Sequence, residues 1–209
     1  MANQKLAKQY QKKTDREHIL DAPDTYIGSV DSSDTFGYVF NEGASTPRVT
    51  FKKFEWIPGL YKLFDEGIVN CRDHVIRMIQ RKESGYKKTK QVTYIHVDID
   101  ADGTIHMTND GNGIDIAQHP EYDVWIPELI FGHLRTSTNY DKTEKKIVGG
   151  KNGFGFKLVL IWSTWGRVET VDHTRKLKYT QEFHTNLTKI DKPVIEKYDG
   201  APYTKISFK

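Results

Sequence analysis

The sequence predicts an α+β chain: a two-layer sandwich in which a mixed, largely antiparallel sheet is covered on one face by helices. Two observations predict it. From Pro58 onward Leu60, Phe64, Ile68, Cys71, Val75 and Met78 recur at three- and four-residue intervals, the period of an amphipathic helix reaching about Gln80. Elsewhere β-branched and aromatic residues come in short runs parted by turn formers. The clearest pair is QVTYIHVDI and TIHMTN on either side of Asp102-Gly103, a hairpin signature.

Taken in order, residues 1–16 are polar and basic with Tyr10 the lone aromatic, and are expected to form an arm ordered by a partner surface. The T-x-x-E of Thr14 to Glu17 has the form of a capping box ahead of Ile19 and Leu20, and Pro23 ends that helix. YIGSV, FGYVF and RVTF within residues 26–57 read as short strands, and RKESGYKKTK (81–90) as a solvated connection. Beyond the hairpin, a second long-range helix is expected from about Pro127 to Leu134. A third should start near Gly153 and carry FKLVLIWST, after which RVETVD, KLKYTQEF and YTKISF return to strand character. No repeat and no linker rich in Pro, Gly and Ser divides the chain, so 17–209 reads as one domain behind the arm.

Composition excludes several classes. With 31 basic against 28 acidic residues in 209, the net charge of +3 gives no field strong enough to capture nucleic acid by itself. Cys71 is the only cysteine, which rules out an internal disulfide or a cysteine-based zinc site and suits a reducing compartment. No apolar run has the length to span a bilayer, and MANQKLAKQYQKK is too polar for a secretory signal, so an intracellular protein with no membrane partner is expected.

Three motifs carry chemistry. On the long helix Glu66, Asn70, Asp73 and Arg77 fall at i, i+4, i+7 and i+11, one polar stripe at about 100° per residue. A solvated face would look the same. The functional reading is a Glu that activates water, an Asn whose amide oxygen ligates Mg²⁺, and two supporting charges, as phosphoanhydride hydrolysis requires. NDGNGI (109–114) follows a strand. It is either an ordinary turn or a base-reading site, in which Asp110 accepts from an exocyclic amine while Gly111 and Gly113 let the backbone come close. VGGKNGFGFK (148–157) feeds a helix and, with Lys151 and Lys157, suits phosphate. It fits neither the Walker A nor the Rossmann spacing. Between them RTSTNYDKTEKK (135–146) offers hydroxyls and Asn139 for ribose or phosphate, as a lid or simply as a polar loop.

The order of these motifs resembles the GHKL (Bergerat-type) ATPase fold of gyrase, the ninety-kilodalton heat-shock chaperones, mismatch-repair MutL and histidine kinases. Within it, YQKKT with EHIL, PDTYIGSV, PGLYKLFDEGIVN, LIFGHLRTSTNYD and GGKNGFGFK resemble the N-terminal ATPase domain of eukaryotic-type DNA topoisomerase II, cellular or from a large DNA virus. The resemblance implies ATP and Mg²⁺ as cofactors, Glu66 as general base, Asn70 as the Mg²⁺ ligand and Asp73 and Arg77 in support. It places Asp110, Gly113, Thr204, Ile130 and Phe131 around adenine, and Thr136, Ser137, Thr138 and Asn139 on ribose and phosphate. Lys151, Asn152, Gly153, Phe154, Gly155, Phe156 and Lys157 then form the phosphate cradle. Tyr10 would reach the partner's nucleotide when two protomers exchange arms as a homodimer. The full enzyme would take a DNA duplex as substrate, in the nucleus or a viral replication compartment. The transducer and DNA-cutting regions implied by the resemblance lie outside these residues, so the chain is expected to be part of a longer enzyme. Turnover alone is then expected to be slow, and a nucleotide-binding dimerisation module without turnover is the alternative. His74, Lys151 and Phe156 stand where asparagine, arginine and alanine are usual, and Asp110 where asparagine is often found.

Overall fold

A computed structural model describes residues 12–43, 48–134 and 154–209. The chain forms two compact units, one up to Phe64 and one from Asp65. Tyr10 and the lid and cradle segment from Thr136 through Gly153 lie outside the described residues.

In the first unit, α1 (Asp15–Asp21) begins at the expected capping box: the Glu17 amide donates to Thr14 Oγ1 at 3.2 Å, and the Thr14 amide donates to Glu17 Oε2 at 2.8 Å. A 3₁₀ turn, Pro23–Thr25, follows. YIGSV is not a strand. The turn captures the amides of Ile27 and Gly28 on the Pro23 carbonyl, and Gly28 takes a left-handed φ of +89° that breaks any extended run. FGYVF and most of RVTF lie in strands as expected, as parts of one long hairpin in which β1 (Ser33–Phe40) pairs antiparallel with β2 (Val49–Trp56). Its register sets Tyr38 opposite Phe51 and Phe40 opposite Val49, all four exposed.

The helix predicted from the apolar period is α2 (Pro58–Glu83), and the division between units falls inside it. Proline at its first position suits a helix start. Its end is a Schellman motif: the Gly85 amide donates to Lys82 and the Tyr86 amide to the Arg81 carbonyl, with Gly85 at φ +84°. Leu60, placed in the apolar stripe from sequence, is 57% exposed, whereas Leu63, Gly67, Cys71 and Met78 are buried.

The second unit is built on β3 (Ile95–Ile99), β4 (Ile105–Asp110), β5 (Trp165–Asp172), β6 (Leu177–His184), β7 (Lys189–Ile190), β8 (Val194–Lys197) and β9 (Tyr203–Phe208). The spatial order is β3-β4-β9-β5-β6-β7, with β8 also on β6. Every pairing among the described strands is antiparallel, so the parallel part of a mixed sheet is not among them. Asp102-Gly103 makes the β3–β4 turn as expected, the Gly103 amide donating to Asp100.

Strand alternation sorts the two faces. Met107, Ile206, Val168 and Gln181 are successive cross-strand partners on one face, and all are buried. His106, Ser207, Arg167 and Glu182 make the same walk on the other. That outer face is a mesh of ion pairs, including Lys178 with Glu169 and Glu196, and Asp191 with His184 and Lys189.

The buried face carries the helices, as expected: α2 through Gly67 over Met107, α3 (Ile126–Gly132) through Gly132 over Phe183 and Ile190, and α4 (Gly155–Ile161) through Leu160 over Gly166. Phe156 is central here. Its ring meets Phe131 edge-on at 5.8 Å and Phe208 at 5.7 Å, so the bulky residue that looks misplaced in a glycine turn is core. No described helix is long and apolar enough to cross a membrane.

Candidate functional site

Three of the sequence motifs meet in the second unit, because α2 lies along β4. Gly67 packs on Met107 in the middle of β4. Two helical turns later His74 packs on Gly111, just past the end of that strand. At the Gly67 end the two residues expected to act on phosphate come together with the start of α4. A Cβ placed on Gly155 would lie 3.6 Å from Glu66 Oε2 and 3.9 Å from Asn70 Nδ2. The Asn70 amide nitrogen donates to the Glu66 carbonyl. Its oxygen is therefore the end turned away from the helix backbone.

The polar stripe is not a solvated face. Asp73 is 3% exposed, and burial pulls the Arg77 guanidinium below its ordinary range while the Asp73 carboxylate one turn away pulls it back up. Lys157, on the first turn of α4, is buried as well, and desolvation pushes its ammonium down to about 8. An ammonium so placed is held at a desolvation cost, which an anion brought close to it would offset.

The Asp110 turn is held from several sides. Partial burial works against the charge of Asp110, but donors from Thr93 and Tyr94 hold its carboxyl below the usual range. The Thr93 amide and hydroxyl lie at 2.7 and 2.6 Å and the Tyr94 amide at 3.1 Å. Lys90 donates its amide to Asn112 Oδ1. Gly113 has no room for a side chain, since a Cβ would sit 1.9 Å from the Val171 carbonyl oxygen; its glycine is required by the fold itself. Thr204, on β9 directly opposite Asn109, reaches the turn through Thr170, whose Oγ1 lies 3.0 Å from the Thr204 hydroxyl and accepts the Ile114 amide at 2.9 Å. Ile130 is half-buried on α3, and its neighbour Phe131 is buried against Phe156.

The supports missed by sequence reasoning are Thr93, Tyr94, Thr170 and Asp172, the last accepting the Ile116 amide at 3.0 Å. They act across separations of up to 56 residues, and no local pattern marks them. The 91–94 segment reads as strand from its Val, Thr and Tyr, but the strand starts only at Ile95, and Thr93 and Tyr94 leave the ladder to bind Asp110.

Comparisons with known proteins find relatives along nearly the whole chain. A DNA topoisomerase 2 of Acanthamoeba polyphaga mimivirus is 44% identical over 206 residues, 97% of this chain. The DNA topoisomerase 2-beta of Homo sapiens is 43% identical over 95% of it. The ATPase region of Saccharomyces cerevisiae topoisomerase II superposes with a TM-score of 0.88 at 41% identity over 98% of the chain. The chain belongs to the DNA topoisomerase 2 family. Within that family it corresponds to the ATPase portion, with the fold of that region. The chain spans 15% of the mimivirus relative and 51% of the solved yeast ATPase region. No family model matches it.

Proposed function

We propose that this chain binds and hydrolyses ATP as the N-gate module of a type II DNA topoisomerase, coupling ATP-driven dimerisation to the passage of one DNA duplex through another. The observation that carries this reading is the convergence of the Glu66 carboxylate and Asn70 amide on Gly155, where the glycine-rich segment enters α4.

In this reading Glu66 orients the attacking water and takes its proton, which requires a carboxylate within hydrogen-bond reach of that water. The residues present fit a magnesium ion: the Asn70 nitrogen is committed to the Glu66 carbonyl, so its oxygen is the atom left to face a cation, and glycine at 155 keeps side-chain bulk out of the space between. Bound there, the ion would neutralise charge on the phosphates. Asp73 and Arg77 stiffen the stripe from behind. Lys157 and the cradle Lys151 to Gly155 meet the phosphates, and Thr136 to Asn139 the ribose, while Phe156 packs in the core beneath them.

Asp110, Gly113 and Thr204 stand by adenine with Ile130 and Phe131 as apolar neighbours. A carboxylate offers about four acceptor sites. Three donors already reach Asp110, so an exocyclic amine would be the fourth. Tyr10 crosses to the partner of a homodimer, and the compartment is the nucleus or a viral replication site. Relatives named DNA topoisomerase 2 support the whole reading.

The test is Glu66→Gln in the full-length protein. Turnover is expected to fall at least ~100-fold, in the range of a lost general base. The affinity for a non-hydrolysable ATP analogue should change by no more than a few-fold. Normal turnover in the variant would sink the assignment. Tight binding with no turnover in the parent would favour a dimerisation module that only binds.

A further inference from the structure

The inner face of the sheet turns polar at the end nearest the 109–114 turn. Met107, Ile206 and Val168 form an apolar row across β4, β9 and β5, and the next row along the same strands is Asn109, Thr204 and Thr170. Thr170 is fully buried and its hydroxyl lies against the turn, since a Cβ on Gly113 would sit 2.9 Å from Thr170 Oγ1. That hydroxyl has three neighbours. The Ile114 amide donates to it at 2.9 Å, the Tyr203 carbonyl lies at 3.2 Å and Thr204 Oγ1 at 3.0 Å. A hydroxyl has one proton and two lone pairs. An amide N–H can only donate and a carbonyl can only accept, so the Thr170 proton goes to Tyr203 and one lone pair to Ile114. The second lone pair takes the proton of Thr204. All three bonds form only in this arrangement, which leaves Thr204 Oγ1 offering lone pairs alone to a ligand.

We propose that Thr170 is a positioning residue that sets base specificity: by holding the Thr204 proton inward, it makes Thr204 an acceptor that favours a base with an exocyclic amine over one with an oxo group. Thr204 stands by adenine in the nucleotide reading above, on which this proposal rests. Control over which base is taken then lies with a side chain sealed from solvent. An amine donates to the Thr204 oxygen, whereas an oxo group would set two acceptors against each other.

The test measures Kd by calorimetry in the full-length protein for the β,γ-imido analogues of ATP and ITP, whose bases carry an amine and an oxo group at the same position. The parent should prefer the ATP analogue. Thr170→Val keeps the shape and removes the hydroxyl, freeing the Thr204 proton to turn to the ligand, and should narrow that preference about five- to tenfold, the weight of one hydrogen bond. Thr170→Ser should keep the parental ratio of the two Kd values. Beside Thr204→Val, Thr170→Val should leave the ratio unmoved, because Thr170 acts on the base only through Thr204. Loss of the Ile114 bond alone would weaken both analogues together. A folded Thr170→Val protein with the parental ratio therefore overturns the proposal, as does a change of ratio that persists beside Thr204→Val or a parent that binds both analogues equally. A parent that binds neither overturns the nucleotide reading and this inference together. Thermal melting checks folding. Should Thr170→Val not fold, Thr170→Cys, whose thiol donates and accepts only weakly, carries the same expectation and the same overturning result.

Discussion

Lys157 shows how much a single residue can give away about a site. Burying an ammonium without full compensation is costly, and its value of about 8 against an ordinary 10.5 expresses that cost as a proton equilibrium. Between those two pH values the unfolded chain holds a proton that the folded chain has released, so this group makes stability rise with pH across that window. Below about 8 both states are protonated and the penalty is at its full size, on the order of 3 kcal/mol. Cys71 works in the opposite sense, because burial raises its thiol from 9.0 to about 11 and keeps the proton in the folded state. Lys157→Met should therefore be more stable than the parent at pH 7 without nucleotide, with the advantage shrinking toward pH 10.5. Urea melts of both proteins across that range measure it, and a constant offset would show that Lys157 does not titrate in the window.

The elements themselves were largely legible. The helix period gave α2, Thr14 and Glu17 gave the cap of α1, and Asp102-Gly103 gave the β3–β4 turn, because each is set by interactions within a few residues. What could not be read was which α2 positions are buried: Leu60 fits the period and is exposed, while Gly67 carries no hydrophobic signal and packs on Met107. In the site, the motifs were legible but their supports were not. Asp110 stands out beside two glycines, but its Thr93 and Tyr94 donors are fixed only when β3 and β4 are placed side by side.

Gly67 allows a direct check of the helix–sheet contact. A Cβ there would meet Met107 Sδ at 2.5 Å and Cε at 3.0 Å, a clash the flexible thioether only partly relieves. Gly67→Ala should cost about 1–2 kcal/mol despite its better helix propensity. Met107→Ala, at a fully buried position, should cost about 2–5 kcal/mol. The double variant should lose less than the sum, since the new methyl occupies space the methionine leaves. Strict additivity in chemical denaturation would mean that the two residues are not in contact.

For the molecule as a whole, charge is spread over the outer face of the sheet and apolar burial over the inner, and their energetic weights differ. Ion pairs at the surface of the outer face, such as Lys178–Glu196 and Lys189–Asp191, each contribute little and are screened by salt, whereas each large side chain on the inner face contributes about 1.5–3 kcal/mol. Raising sodium chloride from about 0.1 to 1 M, where the screening length falls to about 3 Å, should lower Tm by only a few degrees. A collapse of tens of degrees would put the stability in the ion mesh instead. Cys71 has a further use. As the lone thiol of 209 residues, 2% exposed and next in sequence to Asn70, it is a stopwatch already built into the chain: a thiol reagent can reach it only in the moments when α2 lifts from its seat. The rate of labelling thus counts those moments on the helix that carries Glu66, with no probe attached and no residue changed.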